Sequence, residues 1–332
     1  MVNAARPWRV HALLRGAIVL AAAALLAEPS ARAESPRPYR IGVLNEAWAA
    51  NHPTVEGLKA GLRARGLAEG RDVTFELHFT EGKRDELPAE ARALIKANVD
   101  VILTNNEAAA LAAKDASRQI PIVFTLVGNP LSAGVISDLA RPGGNLTGIA
   151  GGATQIVAKR IEILRTLMPK LRRVWFIYRA GDPTDAAAVA AADQAAKYLK
   201  VELVARPVES ADQLKRALLE VRPGDGLLSP EMDALDITAA ILDKSLKSRI
   251  PAIFATAHWV ARGGLVSYGP DLYAQGVQAA GIVARILQGT RPQDLPIESA
   301  DDIALAINLE TARLLALDVP RKILFRADVI QR

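Results

Sequence analysis

Apolar positions along the chain switch repeatedly between a two-residue period and a helical one. Arg40-Ile-Gly-Val-Leu44 is a short apolar strand. The spacing of Val55, Leu58 and Leu62 predicts a helix, entered through Asn51-His52-Pro53 as cap and first turn, because proline suits the first helical position. Asp72-Val-Thr-Phe-Glu-Leu-His78 alternates strictly, which predicts a strand with one face covered. Leu87, Ala91, Leu94 and Ile95 mark a helix. Val99-Asp-Val-Ile-Leu-Thr104 reads as a buried strand, an alanine-rich helix runs on to about Ser117, and Ile120-Pro-Ile-Val-Phe-Thr-Leu126 is the next strand. Repeated strand–helix–strand units imply a mainly parallel sheet covered on both faces.

The turn Arg141-Pro-Gly-Gly-Asn145 interrupts the series, and Leu146-Thr-Gly-Ile149 reads as a short extended link. A second series follows. Its first helix carries Ile156, Arg160, Ile163, Leu164 and Leu167, and its strands are 173–178, 201–205, 226–229 and 250–254. The halves rhyme. Asp100-Val-Ile-Leu-Thr-Asn105, a helix and Ile120-Pro-Ile-Val-Phe124 parallel Asp225-Gly-Leu-Leu-Ser-Pro230, a helix and Ile250-Pro-Ala-Ile-Phe254, at offsets of 125 and 130 residues. Gly263 to Asp271 is a strand ending in a turn. A helix with Val277, Ala280, Ala284 and Leu287, a link over Arg291 to Pro296 and a last strand near 303–307 complete the pattern. The expected fold class is α/β, two Rossmann-like lobes with parallel sheets. The chain would cross between them near 146–150, 265–270 and 297–303, a three-strand hinge. Lobe 1 is expected over 39–148 plus 270–298, and lobe 2 over 149–269 plus 299–332.

The N-terminus departs from this pattern. Arg6, Arg9 and Arg15 precede a 12-residue uncharged run, Gly16 to Ala27, followed by Pro29 and Ala31-Arg32-Ala33. That order is a secretory signal peptide over 1–33. The run is too short for a membrane span, which needs about 20 apolar residues. The full chain of 332 residues carries 41 Lys and Arg against 36 Asp and Glu; without residues 1–33 the balance is 37 against 35. Most of the basicity therefore resides in the signal, and nucleic-acid binding loses its electrostatic basis. With no Cys in the chain, disulfides, thiolate metal sites and a Cys nucleophile are excluded. An exported, unanchored chain of this kind reads as a periplasmic protein.

Motifs of catalysis are missing. There is no phosphate-binding G-x-x-x-x-G-K-[ST], no G-x-G-x-x-G after a strand, no H-E-x-x-H and no G-x-S-x-G. His52, His78 and His258 share no ligand-like spacing, so no metal or cofactor is expected, and an enzyme is not the expected class. Asp182, Asp185, Asp233 and Asp236 lie in or beside loops, where a hydrolase pair and ordinary caps are both open readings.

Polar residues after strands carry more information, because ligands of open α/β sheets bind beyond the carboxyl ends of the strands. Those positions are Asn45, Glu46, Trp48, His52, Asn105, Asn106, Gly128 and Asn129 in the first half. In the second they are Tyr178, Ser229, Glu231, Thr256, Tyr268 and Asp271. Asn105 or Asn106 is equally an N-cap of the following helix. His52 is equally a first-turn residue, and Asp271 a cap for the helix from Leu272.

Val127-Gly-Asn-Pro130, Ser137-Asp-Leu-Ala-Arg-Pro-Gly-Gly-Asn-Leu-Thr-Gly148, Ala158-Lys-Arg-Ile-Glu-Ile-Leu164, Gly263-Gly-Leu-Val-Ser-Tyr-Gly-Pro-Asp271 and Ala306-Ile-Asn-Leu-Glu-Thr-Ala312 resemble the ABC transporter substrate-binding protein family, TrpX-type tryptophan- and tyrosine-binding members included. The likeness spans the chain after its signal. It implies a type I periplasmic-binding fold that takes a small-molecule ligand and delivers it to ABC permease and ATPase subunits in the inner membrane, with a monomer expected. Asn105, Asn106 or Asn129 would take a carboxylate or other polar head. Trp48 and Tyr178 would supply apolar area, and Glu231, Tyr268 or Asp271 would complete the far side on closure. The family often carries Val-Gly-Asp-Pro where this chain has Asn129, so one charge at the cleft edge is absent. A periplasmic sensor that presents its solute to a membrane receptor kinase fits the same residues.

Overall fold

The computed structural model describes residues 37–46, 52–131, 133–151, 153–181, 183–230, 237–300 and 302–332. The export signal read over 1–33, Trp48, Glu231 and the loop carboxylates Asp182, Asp233 and Asp236 lie outside the described residues.

The first sheet is built from β1 (Tyr39–Asn45), β2 (Val73–Phe79), β3 (Val101–Asn105), β4 (Ile122–Val127), β5 (Leu146–Ala150) and β11 (Glu298–Ser299). Their order is β11-β5-β4-β3-β1-β2, and every neighbouring pair is parallel. The second holds β6 (Arg173–Arg179), β7 (Glu202–Val208), β8 (Gly226–Leu228), β9 (Ala252–Phe254), β10 (Val266–Pro270), β12 (Ile303–Asn308) and β13 (Val329–Gln331), in the order β13-β12-β10-β9-β8-β6-β7. Only the β10–β12 pair is antiparallel among the described strands. Two parallel-sheet α/β lobes result.

Helices cover each sheet on both faces. In the first lobe α1 (Pro53–Ala64) and α9 (Leu272–Leu287) pack on one face over Ile41, Val43, Val101, Leu103 and Val123. On the other face, α2 (Leu87–Lys96) and α3 (Glu107–Ala116) pack over Leu44, Ile102 and Phe124. The second lobe repeats this with α4 (Ala153–Leu167) and α5 (Pro183–Leu199) opposite α6 (Ala211–Glu220) and α7 (Ile237–Ser248). A short α8 (Ala257–Ala261) follows β9, and α10 (Leu309–Leu314) and α11 (Arg321–Leu324) precede β13. Helices α1 and α9 approach through small residues. A Cβ on Gly57 would lie 2.0 Å from the Tyr273 carbonyl oxygen, and one on Gly276 would lie 2.1 Å from that of Thr54.

The internal rhyme has a physical basis. Each proline of the paired Ile-Pro dipeptides stands just ahead of a strand, where it lacks a donor but keeps its acceptor. Ile102 N donates to Pro121 O at 2.8 Å, and Leu227 N donates to Pro251 O at 2.9 Å, the same bond in each lobe. One expectation changes. Leu146-Thr-Gly-Ile149 is not a link but the body of β5, hydrogen-bonded to β4. Glycine permits it, because a Cβ on Gly148 would lie 2.2 Å from the Phe124 carbonyl oxygen. The tail also adds α10, α11 and β13, which no strong periodicity announces.

The chain leaves the first sheet after β5, returns through α9 after Pro270, and leaves again between Ser299 and Ile303. These passages are tied together. Ala300 N donates to Ala150 O, and Asp271 N to Asp302 O, both at 3.0 Å.

Candidate functional site

At the carboxyl ends of the first-lobe strands, polar residues replace apolar ones on the face beneath α1 and α9. Strand alternation puts Asn45 above Val43, Asn105 above Leu103 and Thr125 above Val123. Register places Asn45 beside Asn105 and Asn105 beside Thr125. All three are buried, so this is a polar shelf at the end of an apolar interface. Thr54 of α1, also buried, receives a hydrogen bond on Oγ1 from Asn105 Nδ2 at 3.1 Å.

His52 caps α1. Its Nδ1 accepts from Thr54 N at 3.3 Å and faces Asn105 Nδ2 at 3.2 Å. Two donors aimed at Nδ1 assign the ring proton to Nε2. Burial, and then the charge of His258, lower the His52 pKa to about 4. His258 belongs to α8 of the second lobe, and its own pKa is lowered by burial and by Arg262. The two rings are thus electrostatically coupled from opposite lobes.

Asn106 has φ 98° and ψ 169°, a backbone conformation that residues other than glycine rarely adopt. Its Oδ1 accepts from Ala109 N at 2.9 Å and caps α3, while its Nδ2 donates to Glu46 Oε2 at 3.0 Å. Glu46 is buried and also receives Arg84 Nε at 3.4 Å. Asp271 caps α9 through Oδ1, which accepts from Ala274 N at 3.0 Å. The first turns of α1, α3 and α9 gather at one end of the lobe, where the positive ends of their helix dipoles favour a negative charge.

The second lobe contributes a braced rim. Ser229 Oγ accepts from Ala255 N at 3.0 Å and donates to the Pro230 carbonyl at 3.3 Å. Arg160, fully buried, donates from Nε to Tyr268 O at 2.6 Å and from Nη2 to Ala255 O at 3.3 Å. Thr256 opens α8 without a side-chain capping bond. Tyr178 lies against the second-lobe core, its ring 5.7 Å from that of Phe176. Gly128, Asn129 and Tyr268 line a cavity of about 490 Å³ at the interlobe passages, together with Ala150, Gly151 and Ile156. The described residues therefore fall into the first-lobe shelf, the passage cavity and the second-lobe strand ends, where Tyr178, Ser229 and Thr256 lie at the ends of β6, β8 and β9.

Sequence reasoning missed Gln275. It lies on α9 four residues before Ala279 and seven before Ile282, on the stripe that faces the first sheet. It is buried, and neither its Oε1 nor its Nε2 has a hydrogen-bond partner among the described residues. The signal was available, since a glutamine interrupts an apolar stripe at the first turn after a cap. Among the described residues no group of three His, Asp or Glu could hold a metal ion, and no helix is long and apolar enough to cross a membrane.

Two hinged α/β lobes with a buried polar shelf at the strand ends define a class of ligand-binding protein. Residues 48–331 match the family model described as ABC transporter substrate binding protein, and the chain belongs to that family. A tyrosine-binding protein of Clostridioides difficile (strain R20291) is 25% identical over 296 residues, which cover 87% of this chain and 84% of that protein. A conserved domain protein from Vibrio cholerae has a solved structure at TM-score 0.78 and 25% identity, covering 89% of this chain and 100% of its own. A Streptococcus pneumonia ABC domain in complex with L-Trp superimposes at TM-score 0.78 with 21% identity, covering 89% of this chain and 100% of its own. The fold is that of type I periplasmic binding proteins, and the matched family and the Clostridioides difficile relative are described as binding proteins rather than enzymes.

Proposed function

We propose that this protein captures a small organic carboxylate, an amino acid or aromatic acid, between its lobes, and that an ABC permease and ATPase then import it. The swinging units are residues 39–148 with 270–298, and 149–269 with 299–332. Ligand that touches both units favours the closed form by differential affinity. The observation that carries the reading is the buried shelf of Asn45, Asn105, Thr125 and Thr54 beneath the N-termini of α1 and α9. Such an arrangement suits an anionic head group held without chemical change. The tyrosine-binding and L-Trp-bound relatives support amino acids as the first ligands to try. Export through the segment 1–33 would place the protein in the periplasm, as a monomer. The test is a thermal-shift screen against amino acids, aromatic acids and dicarboxylates. A true ligand raises the melting temperature, because it binds only the folded chain; at a hundred times its Kd it adds about 2.7 kcal/mol. A flat screen, or a ligand recovered chemically altered, would overturn the reading.

A further inference from the structure

We propose that Gln275 is a ligand-binding residue whose side-chain amide grips the head group of an α-amino acid, donating from Nε2 to the carboxylate and accepting on Oε1 from the ammonium. The inference rests on the solute-binding reading above and adds the residue and the head-group chemistry to it. A buried primary amide can make four hydrogen bonds, and leaving such a group unpaired is costly. Gln275 nonetheless keeps both atoms unpaired inside a lobe whose other shelf groups largely satisfy one another: Asn105 with Thr54, His52 with the Thr54 amide, Thr125 with the Thr104 carbonyl.

Its place in the fold says what it would meet. Gln275 follows the Asp271 cap by one helical turn, and the adjoining Gly276 touches Thr54 and Leu58 at the head of α1. The amide therefore sits at the end of the lobe where α1, α3 and α9 all begin, the end that attracts a carboxylate. One amide offers a donor and an acceptor about 2 Å apart, which matches a carboxylate and a neighbouring ammonium better than either alone. Because the side chain is sealed from solvent in this structure, the head group enters only when the strand ends are uncovered.

The test compares the wild-type protein with Gln275→Met, a variant of similar shape that cannot hydrogen-bond, and with Gln275→Glu. Titration calorimetry uses L-tyrosine and L-tryptophan, with tyramine, which lacks the carboxylate, as a third probe. Gln275→Met is expected to bind the amino acids about ten- to hundredfold more weakly. Its ligand-free melting temperature should be unchanged or higher, since an unsatisfied buried group has been removed. Gln275→Glu is expected to weaken the amino acids further while leaving tyramine no weaker than with wild type. If Gln275→Met binds the amino acids as wild type does and melts lower without ligand, the glutamine is a structural group satisfied by water, and the assignment falls. If wild type itself titrates with none of these probes or with any carboxylate of the wider panel, the solute-binding reading falls first.

Discussion

His52 at the head of α1 and His258 on α8 stand on opposite lobes, near enough that a charge on one opposes a charge on the other. The sign of the resulting pH dependence follows from the folded pKa of about 4 against 6.5 for a free imidazole. An unfolded chain takes up the proton first as pH falls. The stability that neutral His52 contributes is complete above pH 6.5 and is lost as pH drops to 4, up to about 3 kcal/mol. Asparagine keeps the cap without titrating. Chemical denaturation at pH 7.5 and 4.5 should show a smaller acid loss for His52→Asn than for wild type. Equal losses would mean that the ring is not held neutral.

The contact of α1 with α9 predicts a large effect from a single methyl group. At Gly57 and Gly276 a Cβ would collide with backbone carbonyls at 2.0 and 2.1 Å, and backbone cannot swing aside. Gly57→Ala and Gly276→Ala should each lower unfolding free energy by about 1–3 kcal/mol or more. Gly281→Ala is the control. Its nearest neighbour is the flexible end of Arg65 at 3.1 Å, so alanine's better helix propensity should offset the crowding. Urea midpoints for the three variants decide the matter.

Asp225 concentrates bonds in the second lobe. Its carboxylate accepts from Arg173 at 3.0 and 2.9 Å, from Trp175 Nε1 at 2.9 Å and from Arg222 N at 2.9 Å. Burial pushes its pKa upward, but the Arg173, Arg222 and Trp175 hydrogen bonds outweigh that and leave it below 3.8. Its stabilising effect is thus present above pH 4 and fades as the carboxylate protonates below its ordinary pKa. Asp225→Ala should cost about 3 kcal/mol at neutral pH, because the buried indole N–H and the guanidinium lose their acceptor. Asp225→Asn should cost less. Guanidinium denaturation at pH 7 distinguishes the two.

Arg160 joins α4 to the carbonyls of Tyr268 and Ala255 at the rim. Arg160→Met fills similar space and leaves those acceptors unmet, so it should destabilise by about 3 kcal/mol or more. Small-angle scattering should also show a broader size distribution than for wild type. A variant as stable and as narrowly distributed as wild type would remove Arg160 from the brace.

Much of this architecture is written in period and punctuation. The runs at 40–44, 99–104 and 120–126 are apolar because both sheet faces are covered, and they became β1, β3 and β4. Leu146-Thr-Gly-Ile149 gave no such signal: four residues with a central glycine look like a loop until β4 is known to lie alongside. The shelf was half legible. Asn45, His52, Asn105 and Asn106 follow strands, and the strand-end rule finds them. Gln275 lies within a helix rather than at a strand end, so the strand-end rule passes over it, and its mark is the break it makes in the apolar stripe one turn after the Asp271 cap. Asn106 and Asp271 illustrate the reverse case, in which residues expected at the strand ends also carry the caps of α3 and α9.

The bonds from Ala300 to Ala150 and from Asp271 to Asp302 stitch all three passages into a narrow ribbon, and the antiparallel β10–β12 pair stiffens one side of it. Under the capture proposed above, each half would swing about this ribbon like a door on its jamb. A ligand caught that way would meet the same opposing surface at every closure, and a few fixed atoms would then set selectivity rather than a search among alignments.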